Sequence, residues 1–178
     1  MLSQEQRERL LQVARQSLRH AVGLGPPPDT HTDDPALTRP SGAFVTLKKD
    51  GELRGCIGHI EAVEPLIDTV ADMARAAALE DPRFPPVTAR EEPDIHIEIS
   101  VLSPITPCPN LEAIEIGRHG LVVSHGPYRG LLLPQVAVEW GWDRETFLRH
   151  TCRKAGLPPD AYRRGAKVYW FEAEVFGE

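Results

Sequence analysis

The sequence has no uninterrupted apolar stretch approaching the roughly 20 residues that a membrane-spanning helix needs, so a membrane protein is not expected. It has only three cysteines, Cys56, Cys108 and Cys152. That number is too small, and odd, for a disulfide framework, and in a reducing compartment all three are expected to be thiols. It has no block of lysines or arginines, and its formal net charge is −6. Phosphate-dominated nucleic-acid binding is therefore disfavoured. It lacks a Gly-rich phosphate loop, and no four Cys or His residues stand at zinc-site spacing. Cys56-x-x-His59 and His150-x-Cys152 are fragments of such a pattern, so no metal is expected and no motif specifies a cofactor. Internal repeats and long low-complexity tracts are also absent. The N-terminal residues are polar and include acids, unlike a signal or transit peptide, so a cytoplasmic location is expected.

What is present fits a soluble globular chain. It has 178 residues, of which 41% are apolar and 26% charged, enough for one compact domain over 1–178 with room for two lobes. Ser3 and Gln6 read as a capping box, and Leu10, Leu11, Ala14, Leu18 and Val22 follow at helical spacing up to Gly23. Residues 24–40 read as a surface loop. Two alternating runs, 43–47 and 52–57, flank Asp50-Gly51 and predict a hairpin. A helix is expected from Glu64-Pro65 to about Glu80, ended by Asp81-Pro82. Thr88 to Glu91 is another capping box. Residues 95–101 alternate as a half-buried strand, and Leu111 to Ile116 is ambiguous between helix and strand. A second hairpin is expected over 120–133. Helices follow Pro134 and Asp143, with a stop at Gly156, and the last strand covers 167–176. Hairpins dominate and strands do not alternate with helices, which predicts an α+β fold with mainly antiparallel sheet.

The run Leu53-Arg54-Gly55-Cys56-Ile57-Gly58 concentrates unusual residues on the returning strand of the first hairpin. Simple alternation puts Arg54, Cys56 and Gly58 on one face, with the Arg54 and Cys56 β-carbons about 7 Å apart. A guanidinium near a thiol raises its thiolate fraction. Gly55 and Gly58 would open the backbone to a ligand, or mark a bulge. Cys56 could equally be a small buried hydrophobe. His119 is the candidate acid or base for a nearby thiol, with a surface-turn role as the alternative. Arg83 either pairs with Asp81 or reaches an anionic ligand. Cys152 reads as a core residue, and Trp140-Gly141-Trp142 as core or interface.

The hexapeptide is followed, in order, by Asp81-Pro82-Arg83-Phe84-Pro85-Pro86, His119-Gly120-Leu121, Leu133-Pro134-Gln135-Val136 and Cys152-Arg153-Lys154-Ala155-Gly156-Leu157-Pro158. This ordered set resembles the AMMECR domain family, and within it the bacterial and archaeal branch called AmmeMemoRadiSam system protein A. The likeness runs from about Leu10 to Phe176. It implies a two-lobed α+β domain of antiparallel sheets flanked by helices. The larger lobe would come from the N- and C-terminal parts and the smaller from a middle segment, with the Arg-Gly-Cys motif lining a cleft between them. It also implies association with a Memo-like protein and a radical S-adenosylmethionine (SAM) protein. It brings no settled activity. Family members outside this branch can lack a cysteine at the position of Cys152, which speaks against a general Cys56–Cys152 redox pair. His59 stands where the family usually has a small residue.

Two functions follow as expectations. In the first, an enzyme modifies a small molecule or protein at a thiol, with Cys56 and His119 catalytic and Arg54, Gly55, Gly58 and Arg83 binding an anionic substrate. In the second, the same strand binds a ligand or protein without catalysis. Nucleic-acid recognition is a weaker third.

Overall fold

The computed structural model describes all residues, Met1–Glu178. The chain forms two compact units, Met1–Leu102 with Glu174–Glu178, and Ser103–Ala173.

The first unit begins with α1 (Gln4–Ala21). Its capping box forms in both directions: Gln6 N–H donates to Ser3 Oγ (3.1 Å) and Ser3 N–H to Gln6 Oε1 (2.8 Å). The segment expected to be a loop contains one helical turn, α2 (Pro35–Thr38), started by Asp34, which accepts the Ala36 N–H (2.9 Å). The turn escaped sequence reading because it is too short to show a period.

Strands β1 (Ala43–Lys49) and β2 (Glu52–His59) form the expected hairpin. Asp50 (φ 53°) and Gly51 (φ 78°) both adopt left-handed geometry, which matches the twist of a two-residue connection. Helix α3 (Leu66–Leu79) follows Pro65 and ends at Glu80, before Pro82. Strand β3 (Ile95–Leu102) pairs antiparallel with β1, giving the order β2-β1-β3. Val45, Leu47, Ile97 and Ile99 form the buried face of this sheet, packed with Leu10 and Leu18 of α1 and Ile67 and Val70 of α3. The alternate residues Phe44, Thr46, Glu98 and Ser100 therefore lie on the opposite face.

The second unit holds β4 (Thr106–Pro107), β5 (His119–His125), β6 (Tyr128–Leu132), α4 (Pro134–Trp140), α5 (Arg144–Lys154) and most of β7 (Lys167–Gly177). The end of β7 belongs to the first unit. Strand β5 pairs antiparallel with β6 and β7, and β4 pairs with β7. Two residues containing a proline gave no strand signal for β4. The ambiguous 111–116 segment holds a short 3-10 turn, Leu111–Ala113. Gly141 (φ 66°) ends α4, and Asp143 caps α5 by accepting the Thr146 N–H (2.8 Å). Ile114, Leu121, Ala137, Phe147 and Leu148 form one core cluster, and Val123, Cys152 and Ala161 another. The fold is α+β, and all its strand pairings are antiparallel. No helix is long and apolar enough to cross a membrane.

Candidate functional site

Arg54 is the extra residue of a β-bulge. Lys48 pairs with Leu53, but the next residue, Leu47, pairs with Gly55, so Arg54 has no partner across the hairpin. A bulge re-aims the side chain it carries. The Arg54 guanidinium accordingly leaves the expected alternation and binds the segment that follows α3. Its Nε donates to Glu91 Oε2 (2.9 Å) and its Nη2 to Glu91 Oε1 (3.1 Å). Nη1 donates to the Pro85 carbonyl (2.8 Å) and Nη2 to that of Pro86 (3.3 Å). Glu91 also receives Lys49 Nζ (3.2 Å) and the Thr88 N–H (3.2 Å). Arg54 foremost, with help from Thr88 and Lys49, holds the Glu91 carboxyl down to about 2. The charge and donors of Arg54, expected to bind substrate, are engaged by Glu91 and two carbonyls.

The bulge also sets the surroundings of Cys56. Beyond it, Thr46 faces Cys56 and Glu98 faces Thr46, so a row of polar side chains crosses the sheet on the face away from the helices. Thr46 Oγ1 and Cys56 Sγ share a hydrogen bond (3.2 Å). The Cys56 N–H, on the free edge of β2, donates to Asp81 Oδ2 (3.0 Å). Asp81 also accepts the Arg83 N–H and Nε at Oδ1 (3.0 Å each) and Arg83 Nη2 at Oδ2 (2.8 Å). These bonds, from Arg83 above all, hold the Asp81 carboxyl far below the usual carboxylate range. The pairing of Asp81 with Arg83 follows one of the two sequence expectations.

Cys56 is half-buried and has no disulfide. Burial pushes its thiol pKa up, and Asp81 and Glu98 act in the same sense; the Thr46 bond and the Arg83 charge oppose this but do not overcome it. The guanidinium that acts on the thiol is that of Arg83, while Arg54, expected from spacing, is bound to Glu91.

Gly55 and Gly58 are points of close packing. A β-carbon at Gly55 would overlap the Ala77 carbonyl of α3, and one at Gly58 would overlap the Phe44 ring and stand 2.6 Å from the Ala43 carbonyl oxygen. The Ala77 carbonyl of α3 and the Phe44 ring occupy those spaces.

His119 belongs to the second unit and is 5% exposed. The Glu115 N–H donates to its Nδ1 (2.9 Å), and its ring stacks on Trp170 at 4.2 Å. An acceptor at Nδ1 leaves the proton of the neutral ring on Nε2. Burial lowers the His119 pKa and favours that neutral form. In this arrangement the Nδ1 lone pair of His119, the candidate acid or base, is engaged by the Glu115 N–H. Cys152 is buried in the core of the same unit, and His59 is exposed at the end of β2. No group of three or more His, Cys, Asp or Glu is placed to hold a metal.

Sequence reasoning missed Thr46 as the partner of Cys56 and Glu91 as the partner of Arg54. The Thr88–Glu91 capping box was visible, and it forms, with the Glu91 N–H on Thr88 Oγ1 (3.3 Å). Its second use, as the anchor for Arg54, had no local signal.

With this geometry in place, the family match has a structural content. The AMMECR1 family model matches residues 11–176. The chain belongs to the AMMECR1 family. A protein from Methanothermobacter thermautotrophicus is 47% identical over 190 residues, covering 99% of this chain and 96% of its own. One from Methanocaldococcus jannaschii is 52% identical over 146 residues, 77% of this chain and 73% of its own. A crystal structure of an uncharacterized protein from Pyrococcus horikoshii superposes with a TM-score of 0.88 at 42% identity, over 95% of this chain and 89% of that one. The Arg54-Gly55-Cys56 and Asp81-Pro82-Arg83 segments are two halves of one hydrogen-bonded assembly.

Proposed function

We propose that this AMMECR1-family protein is a binding or accessory module whose ligand-contacting groups are Arg83 and the neutral thiol of Cys56. The ligand class is a small molecule or protein segment bearing an anionic group. The observation that carries this reading is the contrast between the two arginines. The Arg54 side chain is 13% exposed and engaged by Glu91 and two carbonyls, whereas that of Arg83 is 57% exposed. Arg83 uses Nε and Nη2 on Asp81 and keeps Nη1 for a ligand. Arg54 builds the loop, Asp81 ties it to the Cys56 strand, and Arg83 is what the loop presents.

A second reading rests on a different observation. Cys56 is half-buried, and Thr46 and Arg83 both favour its thiolate against the effect of burial. A substrate that changed this balance would make Cys56 a nucleophile for thiol-dependent modification. Either role suits a cytoplasmic protein working with Memo-like and radical SAM partners, for which family membership is the support.

Paired alkylation tests the first reading. Iodoacetate is anionic and iodoacetamide neutral, and both react with the same thiolate, so their rate ratio at Cys56 reports the local anion site. Arg83→Ala is expected to lower that ratio severalfold while leaving the ratio at Cys108 unchanged. An unchanged ratio at Cys56 would rule out the Arg83 anion site.

A further inference from the structure

The second unit carries an aromatic ladder that the reading above does not use. Trp142 stacks on His150 of α5, with ring centroids 4.0 Å apart and planes within 5°. Trp140 also stacks on Trp142, at 6.3 Å and 15°. Trp142 also touches the buried Phe147, at 6.5 Å, which ties the ladder to the core. The outermost rung, Trp140, is 70% exposed. A large indole held by stacking loses little freedom when it is covered, which is the property of a binding anchor.

The surrounding charges select the partner. Arg149 adjoins His150, and Arg153 and Lys154 follow it at i+3 and i+4 on the same side of α5. All three cations are exposed and carry no ion pair. The neighbouring acids are mostly engaged: Asp143 caps α5, and Glu145 pairs with Arg163 (3.5 Å). Glu139 alone is unengaged. The two units differ in the same sense, with 19 acidic and 11 basic residues in the first against 7 and 9 in the second.

We propose that the Trp140 ladder and the Arg149–Lys154 side of α5 form a docking surface for an acidic protein segment with one apolar anchor residue. The anchor would cover Trp140, and carboxylates would meet Arg149, Arg153 and Lys154. Single-stranded nucleic acid, which also stacks on indoles, fits less well. Three cations would neutralise few phosphates, and the chain as a whole carries −6.

The test titrates the full chain with a synthetic ten-residue peptide of Glu and Asp around a central Leu, followed by tryptophan fluorescence and indole N–H resonances. Saturable binding is expected, with Trp140 perturbed. Trp140→Ala should weaken it about tenfold, as loss of a central aromatic anchor does. Arg153→Ala with Lys154→Ala, both exposed, should weaken it severalfold and flatten its salt dependence. Absence of binding, or binding indifferent to both variants, would overturn the proposal. So would tighter binding of a single-stranded oligonucleotide of equal charge, which would make the ladder a base-stacking platform instead.

Discussion

Two regions carry the reactive residue types in this chain, and they use them differently. In the first unit, Arg54, Cys56, Asp81, Arg83 and Glu91 form one assembly, with an arginine left largely exposed and a thiol left half-buried. In the second, His119 is 5% exposed and stacked on Trp170 with its acceptor nitrogen occupied, and Cys152 lies in the core. Reactive side chains are thus building material in both regions. Donor capacity left over after the internal bonds are made is what separates a candidate site from a well-packed corner, and among these groups Arg83 has it.

The largest test of this contrast compares two arginine variants. Arg54→Ala removes four hydrogen bonds and leaves the mostly buried Glu91 with Lys49 and Thr88 alone, so it should cost about 3 kcal/mol. Thermal denaturation should show a fall in Tm of roughly 10 °C. Arg118→Ala in the second unit removes two ion pairs of a side chain that is 60% exposed, and should cost less than about 1 kcal/mol. Equal losses would break the comparison.

Gly55→Ala comes next. Its methyl meets the α3 backbone, which cannot rotate away, and overpacking of this kind costs about 2 kcal/mol. Urea unfolding measures it. A neutral outcome would mean that α3 yields easily and that Gly55 is free for a ligand after all.

A third test lies in pH dependence, where the two regions separate by window. Glu91 is held at about 2 against an ordinary value of 4.5, so its contribution is complete above pH 4.5 and is lost as pH falls toward 2. The Asp81 carboxyl, also depressed, acts in the same direction. His119 is lowered from 6.5 and folds as the neutral ring, so its contribution is complete above pH 6.5 and declines below it. Urea midpoints against pH should therefore fall in two steps as pH decreases. His119→Gln should remove the upper step alone, and Glu91→Gln should diminish the lower one.

Much of the fold is legible in the sequence because its signals are local. The Ser3 capping box, the Asp50-Gly51 turn, the stop before Pro82, the Asp143 cap and Gly141 each act within a few residues, and each forms. The site is less legible because one residue decides it. Had the hairpin kept simple register from Lys49 and Glu52, Cys56 would face Val45 on the core side of the sheet. The bulge at Arg54 shifts the pairing so that Cys56 faces Thr46. A bulge has no period of its own, and Gly55 beside it was the only hint. Partnerships across long separations, such as Arg54 with Glu91, leave no local trace either.

The account rests on Cys56 being a neutral thiol within a structural frame. Site-resolved mass spectrometry of iodoacetamide alkylation across pH measures this directly, with Cys108 in the same chain as an internal comparison. The account predicts an apparent Cys56 pKa above about 8.5, the free-thiol reference. A Cys56 that alkylates fully at neutral pH, with an apparent pKa near 7 or below, would contradict it and restore the activated nucleophile.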